Sequence, residues 1–179
     1  NEYCTSTNKN MSKKKIEKIS IELLSTNDYD ELKDVMISSY QTIPNSYWKK
    51  DKIDKLIEIF PEGQVVIKID NKIAACALSI ILDYTKLTDN HTYRKVTNDY
   101  TFTTHTYEGD TLYGIDVFVK PDYRGLRLGR RLYDYRKELC EKLNLKGITF
   151  GGRIPNYHKY ADTLSPKEYI NKVKLKEIN

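Results

Sequence analysis

The chain has 179 residues, of which 39% are apolar and 31% charged, with only 8 glycines and 5 prolines. That length fits one domain of ordinary size, and the balance excludes collagen-like, low-complexity and wholly disordered chains. The formal charge of +5 is modest, and no stretch approaches the ~20 apolar residues of a membrane span, which excludes a helical membrane protein.

Residues 1–18 are polar, with five lysines against Glu2 and Glu17, and are expected to form a solvated basic tail ahead of a domain over 19–179. The tail has no apolar signal-peptide core. Cys4, Cys76 and Cys140 have neither metal-ligand nor disulfide spacing, so a reducing, cytoplasmic location is expected. Ile19-Ser20-Ile21-Glu22-Leu23 alternates and predicts a strand. Leu32, Val35, Met36 and Tyr40 then follow a helical period behind the capping candidates Ser25 and Thr26. A second helix is predicted from near Ser46, with Ile53, Leu56, Ile57 and Phe60 on one face and Pro61 ending it. Val65 to Ile69, a turn at Asp70-Asn71 and Ile73 to Leu82 predict a hairpin.

Residues 84–110 form a long connection rich in Thr, Tyr and Asn, and connections of that length are usually functional or disordered. Leu112 to Val119 is a strongly apolar strand, and Pro121 to Gly129 is a basic loop. Leu128, Leu132, Tyr135, Leu139 and Leu143 mark a helix behind it, whose apolar stripe also takes in Cys140 as core. Lys146 to Gly152 predicts another strand, and residues 157–161 a short helical stretch. Ser165-Pro166-Lys167-Glu168 is a capping box with proline at the first helical position. The order β-α-α-β-β-β-α-β-α makes this a mixed α/β (α+β) layered domain.

The charge is concentrated. Lys120 to Lys137 holds seven basic residues against Asp122 and Asp134, a net +5 that equals the excess of the whole chain. Such a field draws an anion to one place. Within it, Val117-Phe118-Val119-Lys120-Pro121-Asp122-Tyr123-Arg124-Gly125-Leu126-Arg127-Leu128-Gly129-Arg130 reads as strand, tight loop and helix start. Amides at a helix N-terminus lack internal partners and lie at the positive end of the dipole, which suits phosphate or pyrophosphate. Gly125 and Gly129 allow close approach of a ligand to the backbone, and the arginines add charge-assisted hydrogen bonds. No P-loop and no Gly-x-Gly-x-x-Gly is present. The three histidines do not cluster with carboxylates at metal-ligand spacing, so no metal is expected.

This segment resembles motif A of the GNAT superfamily of acetyl-CoA-dependent N-acetyltransferases, a strand followed by Arg/Gln-x-x-Gly-x-Gly/Ala opening a helix. Arg124, Arg127 and Gly129 hold the matching positions, with Arg127 where a glycine is usual. Gly109 to Val117, Leu132 to Glu141, and Gly151 to Pro155 with Tyr157 to Asp162 are similar to bacterial GNAT domains fused to a nitrilase-like carbon–nitrogen hydrolase. The resemblance implies a central mixed sheet flanked by helices. The chain stops after the helix behind Ser165, so the last two GNAT strands are expected to be lacking.

The implied activity is transfer of an acetyl group from acetyl-CoA to a primary amine, by direct attack in a ternary complex. The implied cofactor contacts run from Arg124 through Gly125, Leu126, Arg127, Leu128 and Gly129 to Arg130. A backbone donor to the thioester comes from Val117, Phe118 or Val119. Asp116 is the candidate base or amine-binding group, and Tyr157 and Tyr160 are candidates to protonate the CoA thiolate. His91 and His105 are candidates for the acceptor side.

The implied partners are a small-molecule or peptide amine, a fused or partner carbon–nitrogen hydrolase, and a second copy in a homodimer. Neither a membrane nor a nucleic acid is expected, since a glycine-bearing loop beside an apolar strand suits a pyrophosphate better than an extended groove. The alternative is a CoA-binding regulatory domain without turnover.

Overall fold

A computed structural model describes residues 16–40, 46–87, 91–152 and 154–178. Most of the predicted basic tail, residues 1–15, lies outside the described residues. The elements are β1 (Ile19–Leu23), α1 (Tyr29–Ser39), α2 (Lys50–Ile59), β2 (Val65–Ile69), β3 (Lys72–Leu82), α3 (Tyr93–Val96), β4 (Thr111–Val119), α4 (Leu128–Lys142), β5 (Gly147–Phe150) and α5 (Pro166–Lys174). The residues group into two compact units, Asn1–Thr149 and Phe150–Asn179.

The five strands form one sheet in sequence order. The β1–β2, β2–β3 and β3–β4 pairs are antiparallel. The helical crossover through α4 makes β5 run with β4, so the sheet is mixed. Among the described residues no strand follows α5.

Local chemistry explains the elements. The β2–β3 hairpin turns at Asp70 and Asn71, with φ of 49° and 63°, a left-handed pair that short polar side chains tolerate. The Ser25 side chain and Asp28 form a capping box on the 3₁₀ turn that leads into α1. Leu32, Val35 and Met36 of α1 and Ile53 and Leu56 of α2 are buried on one face of the sheet with Val66, Cys76, Leu78 and Phe118. The other face takes Leu128 and Leu132 of α4, against Val65, Ile67, Ala75 and Ala77. Covered on both faces, β3 is buried from Ile73 to Leu82, hence its near-continuous apolar run.

The second helix begins at Lys50 rather than near Ser46. The preceding residues are tied back to α1: Ser46 Oγ donates to Tyr40 O at 3.3 Å, Trp48 N to Met36 Sδ at 3.4 Å, and Tyr29 Oη to Trp48 O at 3.0 Å. Backbone held in this way reaches Lys49 still extended, with φ −68° and ψ 155°.

The long connection is also ordered by packing. It carries α3, then Asn98, Asp99, Tyr100 and Phe102 at positive φ, and Phe102 is fully buried. It also completes β3. The β2 pairing stops at Val65 opposite Ala77, which leaves the rest of that β3 edge without a strand. Buried Gln64 accepts from Ser79 N at 3.0 Å and donates to Ser79 O at 2.7 Å and Phe60 O at 2.8 Å. His105 Nδ1 accepts from Ile81 N at 3.0 Å, and Thr106 N donates to Ile81 O at 3.0 Å. Two side chains and a loop amide thus satisfy the backbone groups that β2 does not reach.

His105 stacks on Phe60 at 5.1 Å, and burial lowers its pKa below the ordinary value. The folded state therefore prefers the neutral ring. As pH falls from 7.5 to 5, the unfolded chain takes up a proton near the usual value of about 6.5 that the native state refuses, and stability drops. The Asp110 carboxyl, held down at about 2 chiefly by the Tyr84 amide and Lys146, loses its contribution only below that window. Thermal melting between pH 5 and 7.5 is expected to show a slope that His105→Gln flattens. An unchanged slope in the variant would remove His105 as its source.

Candidate functional site

The site begins with a fault in the β3–β4 ladder. Leu78 pairs with Asp116 and Ser79 with Gly114, so Ile115 is an extra residue on β4. Such a bulge frees backbone groups and re-aims the neighbouring side chain. The Ile115 carbonyl accepts from Tyr93 Oη at 2.9 Å, and burial, then the Asp116 charge, push the Tyr93 phenol pKa up.

Asp116 is half-buried. Its Oδ1 accepts from Tyr40 Oη at 2.5 Å and from the Val117 amide at 2.9 Å, and its Oδ2 accepts from Trp48 Nε1 at 3.1 Å. Tyr100 packs against both Trp48 and Tyr93, with centroids 5.9 Å away in each case. The carboxylate therefore stands in an aromatic setting contributed by the end of α1, the segment before α2, and α3. An ionised carboxylate has about four acceptor positions, and these contacts use three.

Beyond Asp116 the ladder resumes, with Lys120 N donating to Ala74 O at 2.8 Å. In antiparallel pairing the bonded pairs alternate. With Ala75 opposite Val119, the amides of Val117 and Val119 point away from β3. Ser39 Oγ donates to the Val119 carbonyl at 3.2 Å, and Arg124 Nη2 to Ser39 O at 3.4 Å, which ties the end of α1 to both the strand and the basic loop.

In the loop, Gly125 has φ +88° and Arg127 has φ 58° and ψ 27°. Arg127 thus supplies with a side chain the left-handed backbone for which glycine is the usual residue. It stands at the N-cap of α4 and no side chain caps that helix. The first bond into the helix runs from Arg131 N to Arg127 O at 3.2 Å, so the amides of Leu128, Gly129 and Arg130 have no intrahelical partner. A Cβ placed on Gly129 would meet nothing within 4 Å. Arg124, Arg127, Arg130 and Arg131 are exposed and form no ion pair among the described residues. The motif residues Arg124 to Arg130 are thus brought together as an open, cationic helix start.

Tyr157 and Tyr160 belong to the C-terminal unit. Both rings pack on Tyr169, at 5.5 and 5.2 Å, and Tyr157 Oη donates to Leu164 O at 2.8 Å. A cleft of about 440 Å³ opens within the N-terminal unit, lined among others by Leu82, Lys86, His91, Lys95 and Val96; Asp116 does not line it. Among the described residues there is no metal-binding group of His, Cys, Asp and Glu side chains, and no helix is long and apolar enough to cross a membrane.

Four residues around Asp116 carry no motif: Tyr40, Trp48, Tyr93 and Arg136. Arg136 has a visible signal all the same. It follows Leu132 by four positions and precedes Leu139 by three, so it lies on the apolar stripe of α4, where a charge calls for an explanation. It is buried, at 2% exposure, and burial lowers its pKa.

The model of the acetyltransferase (GNAT) family matches residues 29–160. The probable hydrolase YhcX of Bacillus subtilis (strain 168) is 40% identical over 131 residues, covering 73% of this chain and 26% of that protein. The uncharacterized N-acetyltransferase YkwB of the same organism is 32% identical over 126 residues, covering 70% and 56%. The chain thus spans about a quarter and about half of these two relatives. Among solved structures, the GNAT-like decarboxylase GphF in complex with isobutyryl-CoA aligns with a TM-score of 0.67 at 14% identity, covering 85% of this chain and 75% of that one. At that identity the likeness is one of fold alone.

Proposed function

The chain belongs to the acetyltransferase (GNAT) family, and on that premise we propose that it moves an acetyl group from acetyl-CoA to a primary amine by direct attack. The observation that carries this is the uncapped start of α4, with its open space over Gly129 and its unpaired arginines. These features fit a pyrophosphate: anions gain from a helix N-terminus, from free amides and from guanidinium groups that are not ion-paired. The solved relative holding isobutyryl-CoA supports a CoA-type ligand for this fold.

Acetyl-CoA supplies the acyl group, activated as a thioester. The chain's own residues supply the rest. The free amides of Leu128, Gly129 and Arg130, with the guanidinium groups of Arg124 to Arg130 around them, would hold the pyrophosphate. The amide of Val119, directed away from β3, offers a hydrogen bond to an oxygen on which negative charge develops, while that of Val117 is engaged by Asp116 Oδ1. Asp116, one residue before Val117, takes the proton that the attacking amine must lose. Likeness to YhcX over 26% of that protein supports a role beside a hydrolase, in the same chain or as a partner.

Titration of the purified chain with acetyl-CoA and CoA, paired with free-thiol release over a panel of amines, tests this. Binding accompanied by amine-dependent thiol release is the expected result. Binding with no turnover on any amine would move the assignment to a regulatory CoA-binding domain.

A further inference from the structure

The Arg136 guanidinium lies beneath the β4 bulge. Its Nη2 donates to Leu78 O at 2.8 Å and to Asp116 O at 3.1 Å, and its Nε to Ser79 Oγ at 3.1 Å. No carboxylate forms an ion pair with it among the described residues. A buried charge without a counter-ion is costly, and it is tolerated where fixed dipoles replace water. Here those dipoles are two carbonyls and a hydroxyl. The carbonyls belong to Leu78 and Asp116, the last regular pair before the bulge.

The second consequence is geometric. A trans peptide is planar, with its C=O and N–H pointing in opposite directions. Holding the Asp116 carbonyl therefore sets the direction of the Val117 N–H. That N–H donates to Asp116 Oδ1, so the same constraint reaches the carboxylate. We propose that Arg136 is a positioning residue for acetyl transfer: by fixing the Asp116–Val117 peptide it aims both the Asp116 carboxylate and the Val117 amide. The inference rests on the role proposed above for Asp116 and adds the group that holds it in place. Arg136, buried in the core, acts in this reading only through that peptide.

A purely structural arginine and a positioning arginine differ in what their loss does. Arg136→Met keeps an unbranched side chain as far as the position of Nε and removes both charge and donors. With acetyl-CoA affinity within threefold of the parent as the check on the fold, kcat is expected to fall about 100-fold, the scale of a misplacement near 1 Å. KM for the amine should stay within threefold, and Arg136→Lys, which keeps a cationic donor, should recover at least tenfold of the loss. A folded Arg136→Met chain with parental kcat overturns the proposal.

A measurement on the parental chain decides the matter if the variants do not fold. Acetyl-CoA binding is expected to shift the NMR signals of the Arg136 Nε–H and the Val117 amide together. An Arg136 signal that does not move while the Val117 signal does overturns the proposal. A parental chain that binds acetyl-CoA but acetylates no amine would instead sink the transfer assignment, and the paired NMR shift would still report on what Arg136 holds.

Discussion

Gly129→Glu is expected to lower the affinity for acetyl-CoA and CoA by more than about 100-fold, with thermal unfolding close to that of the parent. Gly129 is the second residue of α4, and a Cβ there meets no atom within 4 Å, so the backbone needs no adjustment. A carboxylate in the first turn also interacts well with the helix dipole, and any helical residue replaces glycine with a gain in propensity. The fold is therefore left alone or slightly helped. The ligand site is affected differently. The new side chain enters the space over the amides of Leu128 to Arg130 and carries the same sign of charge as a pyrophosphate. Like charges brought together at a desolvated contact cost several kcal/mol, and about 2.7 kcal/mol is already 100-fold.

Gly129→Ala separates the two effects, since it adds a small volume without charge. Its affinity is expected to lie between those of the parent and the glutamate variant. Calorimetric titration of all three chains is the measurement. Parental affinity in Gly129→Glu would show that the start of α4 does not hold the cofactor, whatever the family.

How much of this was legible beforehand depends on the range of the interaction involved. The strand Ile19–Leu23, the hairpin through Asp70 and Asn71, the apolar β4 and the capping box at Ser165 are local patterns, and the structure has them where the sequence predicts them. The open helix start is equally local: strand, loop and helix are contiguous. The surroundings of Asp116 are not. Tyr40 and Trp48 reach it from 76 and 68 residues away, and the bulge at Ile115 exists only in the register between β3 and β4. No periodicity within one segment encodes a register slip in its partner. The start of α2 departs from the sequence reading for a related reason, because contacts with α1 hold residues 46–48 out of the helix where local propensity alone permits it. His105 is the converse: a histidine in a long loop suggests exposure, yet it completes the hydrogen bonding of β3.

Asp116→Asn is expected to reduce amine acetylation by the 10² to 10⁴ typical of a general acid–base group, with the affinity for acetyl-CoA within about threefold of the parent. The substitution is close to isosteric, and one amide oxygen remains to accept a hydrogen bond. What changes is that the group no longer takes a proton, and that one of its two polar atoms becomes a donor. Trp48 Nε1 can only donate, so it will claim the amide oxygen. The amide nitrogen is then left beside Tyr40, whose hydroxyl can turn to accept.

The Val117 amide loses the carboxylate oxygen it now bonds. That distinguishes two roles for Asp116. If it serves only as an anchor for the Val117 amide, freeing that amide leaves turnover within a few-fold of the parent. If it takes the proton of the incoming amine, freeing the amide cannot compensate, and only the fraction of amine already neutral in solution can react. Raising the pH enlarges that fraction, so activity of the variant should climb towards the parent's as the amine's own pKa is approached. Rates across pH 7 to 9.5 for both chains provide the test. A variant within a few-fold of the parent at pH 7 would take Asp116 out of proton transfer and leave it as a structural carboxylate under the aromatic cover of Tyr40 and Trp48.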